Sequence, residues 1–438
     1  MNIPDVATQT IDVAAPVSNI AHGLLGLAIC VGLLTLLSEN RRAWPVRTVC
    51  IGITLQILFA IALLRLPGMA DAFDLLAQAT NEVIKKADAG ILFLFGEHLA
   101  SNDGPLGFVF AIRVLPVIVF FSALTSVLYY FGVMQWIIGG IAWLLRKTLR
   151  ITAVEAVVVS ANVFLGQTEA PLCVSPYLKS FTRSQFAVVM ISGFCSMAGS
   201  VLAAYVAFLG GGDDAQRVFF LKHLLTASLM SAPAAFVAAR ILVPETDPNA
   251  ASEATTPIHY EKPLNAFAAL ADGAWIGLKL AANIAAMLIA SLGILAILDW
   301  PVGIIGNRFG AETQLGLTDV AGWLLTPLAW CLGVPFADAA TAGTLMAKQV
   351  LVNEFVAYKS MGDILRGAAP GTLSERTVVI VTYALAGFSN LSSVAMQVGA
   401  LSMLAPERRD VVLSLGLRCV LAGAIACWMS ASVAGMLL

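Results

Sequence analysis

The chain has 438 residues, 59% hydrophobic and only 12% charged, where an average soluble domain is roughly 45–50% apolar and about 25% charged. Its net charge is −2 and its mean hydropathy +0.87. These values exclude a soluble domain, a disordered chain and a nucleic-acid binder, and they define a polytopic membrane protein.

In chain order, the N-terminus lacks the basic stretch of a cleavable signal peptide. A spanning helix needs about 20 mostly apolar residues. Such stretches fall near 18–38, 46–65, 109–131, 185–208, 218–243, 274–298, 377–400 and 411–437, about eight spans. Between the second and third, residues 70–98 set Phe73, Leu76, Ala77, Val83, Ile84, Ala87 and Ile91 at helical spacing. Asp71, Asp74, Glu82, Lys85, Lys86 and Asp88 fill the other face. This is an amphipathic helix, lying at the membrane interface or packed on its own protein. Residues 133–146 extend the third span or lie at the interface. The polar, proline-containing stretch 243–263 is a linker between halves.

Two apolar segments do not fit simple spans. Residues 152–181 are interrupted by Gly166-Gln167-Thr168-Glu169-Ala170-Pro171, and residues 335–366 by Asn353-Glu354. Each flank is too short to cross the bilayer at about 1.5 Å per residue. Each fits a re-entrant helical hairpin whose tip lies at membrane depth, where irregular backbone survives only if buried or lining a cavity. After the first hairpin comes Ser192-Gly193-Phe194-Cys195-Ser196. After the second comes Ala386-Gly387-Phe388-Ser389-Asn390. Both are Gly-Phe followed by hydroxyl or amide residues inside a span.

Lys and Arg set the orientation. Arg41, Arg42 and Arg47; Arg146, Lys147 and Arg150; Arg240 and Lys262; and Arg408 and Arg409 share one set of loops, while the other holds Lys85, Lys86 and Arg308. The richer side is expected to be cytoplasmic, with both termini outside. One span intervenes between the two hairpin–span–span units, so they are inverted, the plan of many secondary transporters.

Glu169 and Glu354 at the tips carry the chemistry. An ionised side chain at the bilayer centre costs about 2.5–3.5 kcal/mol on insertion scales. It caps a helix end, relays protons, or accepts hydrogen bonds from a hydroxyl- or amide-bearing ligand. Asn162, Gln167, Thr168, Ser196, Asn353, Asn390, Ser392 and Ser393 surround the tips with neutral donors and acceptors. A Gln amide matches the amide edge of a nucleobase, Glu with Asn and Ser matches sugar hydroxyls, and Phe388 with Val201 can flank a flat ring. The tips hold no Arg or Lys, although Lys348 is near, which argues against phosphorylated substrates. The scattered cysteines and histidines form neither a zinc site nor a disulfide framework.

The runs Gly166-Gln167-Thr168-Glu169-Ala170-Pro171-Leu172, Asn353-Glu354-Phe355-Val356-Ala357-Tyr358 and Gly387-Phe388-Ser389-Asn390-Leu391-Ser392-Ser393 resemble the signatures of the concentrative nucleoside transporter family. Val114-Leu115-Pro116, Phe120-Phe121-Ser122, Tyr129-Tyr130 and Ser196-Met197-Ala198-Gly199-Ser200-Val201 also look like that family, in matching order. The resemblance implies a homotrimer of eight-span subunits in the bacterial inner membrane that imports nucleosides such as uridine with sodium, without further cofactor. It implies that Gln167, Thr168 and Glu169 meet the base, that Glu354, Asn390 and Ser393 meet the ribose, and that Val201 and Phe388 flank the ligand. It places sodium on the Asn162 side chain, the Ser196 hydroxyl and the carbonyls of Leu165 and Met197.

The expected organisation is a scaffold over 1–150, a first inverted repeat over 151–243, a linker and long scaffold helix over 244–300, and a second repeat over 301–438. The transport part slides past the scaffold, elevator fashion. Proton-coupled nucleoside symport is the alternative drive, and a membrane receptor or enzyme the alternative class. No nucleophile–base pair or phosphate loop supports the last.

Overall fold

The computed structural model describes residues 17–100, 109–246, 263–308 and 315–438, and every regular element in them is helical. Helices α1 (Val17–Leu37) and α2 (Val46–Leu64) are followed by α3 (Met69–Ala100), the short α4 (Phe110–Arg113) and α5 (Leu115–Tyr130). α3 buries Phe73, Ala77, Ile84, Ala87 and Ile91, while Leu75, Phe93 and Leu94 stay exposed. It is tied to its own protein by Lys85–Asp214 at 2.6 Å and Lys222–Asp74 at 2.8 Å.

Residues 133–149 do not prolong α5. Gly132, in the left-handed region at φ 82°, ends it and starts a separate helix, α6 (Val133–Leu149). Glycine holds that turn without a Cβ clash. The first hairpin then rises through α7 (Ala153–Asn162), turns at 163–169 and returns through Ala170–Ser180. The returning arm is a 3-10 helix: Pro171 and Pro176 remove donors from any α-helical ladder there. α8 (Arg183–Cys195) and α9 (Gly199–Gly210) form one broken span, and α10 (Asp214–Leu242) completes the first half. The expected linker and Lys262 fall largely outside the described residues, which resume before α11 (Ala266–Arg308). At 43 residues, α11 is about 65 Å long, twice the thickness of the hydrocarbon core.

Sequence reading does not anticipate α12 (Leu317–Cys331), because 15 residues containing Asp319 and Pro327 do not read as a span. α12 packs along α13 (Phe336–Leu351), the first arm of the second hairpin, whose other arm is α14 (Glu354–Leu365). The second broken span, α15 (Glu375–Ala384) and α16 (Leu391–Leu404), precedes α17 (Arg409–Met436). Among the described residues, seven helices, counting α8–α9 as one, are long and apolar enough to cross a membrane; α15–α16 is the eighth, interrupted span. α6 and α12 correspond in order, each lying against the first arm of its hairpin. The repeat therefore extends one element beyond the hairpin–span–span unit.

Hydrogen bonds divide the molecule into two faces. On one, Glu39 N donates to Leu242 O at 2.9 Å, the Glu39 carboxylate meets Arg183 and Arg418, and Arg408 Nε donates to Lys179 O at 3.0 Å. On the other, Asn19 Nδ2 donates to Leu438 O at 3.0 Å, and Arg65 bonds Leu437 O. The start of α1 and the end of α17 thus share a face, as an even number of spans requires. The base of the first hairpin is fastened at the Glu39 face, where Arg240 bonds Glu155 at 2.6 Å and Ser184 Oγ bonds Val243 O at 2.6 Å. The base of the second is fastened at the opposite face, where Arg376 bonds Gly333 O at 2.8 Å and Gly435 O at 2.9 Å. The hairpins enter from opposite sides.

The broken spans cross at their Gly-Phe motifs. A Cβ on Gly387 would lie 2.6 Å from Phe194 O, so only glycine allows the approach. Ser389 Oγ donates to Phe194 O at 2.8 Å, and the buried thiols of Cys195 and Cys427 pack beside the crossing. α1 lies along α17 and α2 along α10, whereas α5 and α11 pack mainly on each other.

Candidate functional site

The two tips meet at a chamber of about 460 Å³. Gln167, Thr168 and Glu169 line it from the first tip, Glu354 from the second, Val201 from α9, and Phe388, Asn390 and Ser393 from the second broken span. The structure therefore gathers at one cavity all eight residues singled out as substrate contacts. The far wall is α11, through Leu280, Asn283 and Met287.

Glu354 is the most constrained group. It begins α14, whose N-cap is Asn353: the Asn353 Oδ1 accepts from Val356 N at 2.9 Å. A carboxylate in the first helical turn is favoured by the backbone dipoles and unpaired N–H groups of that end. Asn390 does the same for α16, accepting from Ser393 N at 2.8 Å, so a second helix N-terminus faces the chamber. Asn390 Nδ2 then donates to Glu354 Oε2 at 2.8 Å, and Tyr205 OH to Oε1 at 3.3 Å. With Glu354 only 3% exposed, these donors are what offset the cost of burying its charge.

Glu169 is less enclosed, and its backbone N–H donates to Gly166 O at 3.0 Å. It also lines a second chamber of about 450 Å³, whose walls include Ser122, Thr125 and Ser126 of α5. Gln167 Oε1 and Ser393 Oγ are buried without protein partners, so both have hydrogen-bonding capacity left for a ligand.

The four positions expected to hold sodium cluster where α7 ends and the first span breaks. Asn162 Nδ2 donates to Ser192 Oγ at 2.8 Å, Ser196 Oγ donates to Ser192 O at 2.7 Å, and Gly199 N donates to Phe164 O at 2.8 Å, joining tip to break. Leu165 and Met197 are buried beside them. Asn162 Oδ1 has no protein donor. An unpaired amide oxygen beside a hydroxyl oxygen suits a hard monovalent cation, which needs oxygen ligands but no carboxylate.

Tyr205, Asn283 and Gln397 were not singled out from sequence. Gln397, fully buried in α16, lies so close to Gly193 that a Cβ there would be 2.4 Å from Nε2. Their one signal is polarity, or a hydroxyl, inside an apolar helix.

Opposed hairpins, two broken spans and polar tips around a central chamber define a secondary-transporter architecture. The comparisons then fix the family. Residues 25–98 and 223–435 match the N- and C-terminal models of the Na+ dependent nucleoside transporter, and 111–212 match a "nucleoside recognition" Gate model. The nucleoside permease NupC of Helicobacter pylori is 38% identical over 417 residues, covering 94% of this chain and 96% of its own. Human solute carrier family 28 member 3 is 36% identical over 425 residues, covering 94% of this chain and 59% of its own. CNTnw, solved in an inward-facing substrate-bound state, is 40% identical with a TM-score of 0.86, covering 96% of this chain and 98% of its own. Variants of CNTnw solved in outward-facing states fit equally well, one at a TM-score of 0.88. The chain belongs to the concentrative nucleoside transporter family, a family of membrane transporters and not of enzymes.

Proposed function

We propose that the chain is a sodium-coupled symporter that imports nucleosides such as uridine across the bacterial inner membrane. The observation that carries this reading is the meeting of the two tips around Glu354, a buried carboxylate with two neutral donors on it. Its remaining lone pairs, with Asn390 and Ser393, take the ribose hydroxyls. Gln167, Thr168 and Glu169 take the base, with Val201 and Phe388 at its flanks.

Sodium is the co-transported cargo. It binds Asn162 Oδ1, Ser196 Oγ and the carbonyls of Leu165 and Met197. Holding both the first tip and the first break, it orders the strand of chain that presents Gln167 and Glu169. Nucleoside and ion then favour one another's binding by the same free energy.

Alternating access follows from sliding the hairpins and broken spans past α5 and α11. In this reading α1 and α2 travel with the hairpin-bearing body, which is supported by their packing on α17 and α10. The hydroxyl-lined chamber beyond Glu169 is a natural transit position. The Lys- and Arg-rich loops put the Glu39 face in the cytoplasm and both termini outside. The exposed apolar side chains of α11, such as Ile289, Ile294 and Ile297, are covered by lipid and by neighbouring copies in a trimer.

The test is uptake of labelled uridine into proteoliposomes. An inward sodium gradient is expected to drive accumulation, and purine and pyrimidine competitors rank the substrates. Accumulation that ignores sodium and follows a proton gradient would replace the ion, and absence of any nucleoside uptake would end the reading.

A further inference from the structure

The two repeats align residue by residue at their tips. Asn162-Val163-Phe164-Leu165 and Gln349-Val350-Leu351-Val352 each place an amide side chain before three apolar residues. Gly166-Gln167 is then extra in the first tip, and Thr168-Glu169 matches Asn353-Glu354. The broken spans follow the same frame, Ser192-Gly193-Phe194 against Ala386-Gly387-Phe388.

The aligned amides are used differently. In the first repeat Asn162 Nδ2 is taken up by Ser192 Oγ, and Oδ1 is left buried and open beside Ser196. In the second, Gln349 is fully buried and turns its N–H donors onto the break itself. Its Nε2 lies 3.1 Å from Gly387 O and 3.3 Å from Leu385 O. Its Oε1 makes no protein hydrogen bond, so only the donor end is in use. Both carbonyls lie past the end of α15, where the helical ladder stops supplying donors, and Leu385 O also accepts from Gly387 N at 2.8 Å. At membrane depth such carbonyls need a donor or a cation. One methylene longer than Asn162, Gln349 reaches them from the hairpin arm.

We propose that the Gln349 amide stands in the second repeat where sodium stands in the first. The subunit then has one sodium site, the first tip is ordered only when the ion is bound, and the second break stays fastened at every stage of the cycle. This rests on the sodium reading above. An amide supplies two N–H donors and, being tethered, never leaves. Gln349 is thus a positioning residue that sets ion stoichiometry and touches no substrate.

The experiment counts sodium. Equilibrium binding of labelled sodium to the purified full-length protein is expected to give one site per chain, and co-flux of labelled sodium and uridine in proteoliposomes a ratio of one. Gln349→Ala removes the donors and leaves both carbonyls facing the gap. The variant is expected to bind a second sodium, with the flux ratio rising from one to two and sodium activation becoming second order. A structural role alone would lower the rate without moving that count. Two sites in the unaltered protein, or one in a folded Gln349→Ala variant, overturns the proposal while leaving sodium coupling intact. No sodium binding at all overturns both. Should Gln349→Ala fail to fold, the count on the unaltered protein still decides, one supporting the proposal and two rejecting it.

Discussion

The two hairpin halves share a plan and differ in how they are fastened. The base of the first is held by a buried ion pair, Arg240 with Glu155, whose side chains are 12% and 0% exposed. The base of the second is held by hydrogen bonds onto a carboxylate: Asp338 Oδ2 accepts from Ser374 N at 2.9 Å and Ser374 Oγ at 2.7 Å. The first returning arm is a 3-10 helix interrupted by proline, whereas the second is a regular α-helix capped by Asn353. At the tips, Asn162 Oδ1 and Gln167 Oε1 are open, while the second break is bonded to Gln349 and its Glu354 to Asn390 and Tyr205. The halves are therefore unequal by construction. Both keep groups open to a ligand, Ser393 Oγ in the second among them, but the second carries more of its own bonds at the tip.

The largest effect is expected from emptying the better-bonded half. Glu354→Ala strips the acceptor from Asn390 Nδ2 and Tyr205 OH. A buried donor left unsatisfied costs about 1–3 kcal/mol, more when the lost partner was charged. Uridine uptake at fixed sodium is expected to fall about 100-fold. Glu354→Gln, whose amide oxygen still accepts, loses less. Undiminished uptake by Glu354→Ala would remove this chamber from the transport path.

The fastenings can be compared directly. Arg240→Met leaves Glu155 buried and unpaired, a change that costs about 3–5 kcal/mol when one partner of a buried pair is removed. Asp338→Asn weakens hydrogen bonds without stranding a charge and is expected to cost about 1–2 kcal/mol. Thermal unfolding of the detergent-solubilised protein reads both, and the double variant Arg240→Met with Glu155→Leu should recover most of the first loss. Equal shifts for the two single variants would contradict the proposed difference between halves.

At the tips, Asn162→Ala is expected to raise the sodium concentration for half-maximal uptake about 5-fold, one unmade hydrogen-bond-like contact being worth about 1 kcal/mol. Uptake at saturating sodium and uridine should change little. Ser393→Ala should act the other way, raising the uridine KM and sparing sodium activation. A common effect on both parameters would merge two sites that the structure keeps apart.

The smallest effect is at the Glu39 face. The hydrogen bond from Arg183 holds the Glu39 carboxyl below its ordinary value of 4.5, with Arg418 adding to it. A depressed carboxylate contributes stability above its unfolded value and loses it as pH falls through the lower folded value. Glu39→Gln should thus flatten the acid limb of the stability profile below about pH 4.5. For a solvent-screened cluster the difference at neutral pH stays within about 1 kcal/mol. High salt should erase it, and a larger salt-resistant loss would show that the cluster clamps the first half more tightly than its exposure suggests.

Much of this was legible in the residues. Glu169 and Glu354 announced themselves because ionised side chains inside apolar runs are expensive, and the Gly-Phe motifs because glycine recurs where two backbones must approach. α12 was not legible: Asp319 and Pro327 disturb its pattern, and its burial depends on α13. Tyr205 and Gln349 were equally hidden. A polar side chain in an apolar helix declares that it has a partner and gives no sign of which one.

Composition and periodicity alone determined the membrane class, the span count, the opposed hairpins and the acidic tips, because hydropathy and helix length are local properties read against a bilayer of fixed thickness. Only the tertiary structure decided that α1 packs on α17 and α2 on α10, that the broken spans cross at their glycines, and which amide faces which carbonyl. Those outcomes turn on contacts between residues far apart in the chain, such as Gln349 with Gly387 or Tyr205 with Glu354, and close packing settles such contacts to within an ångström.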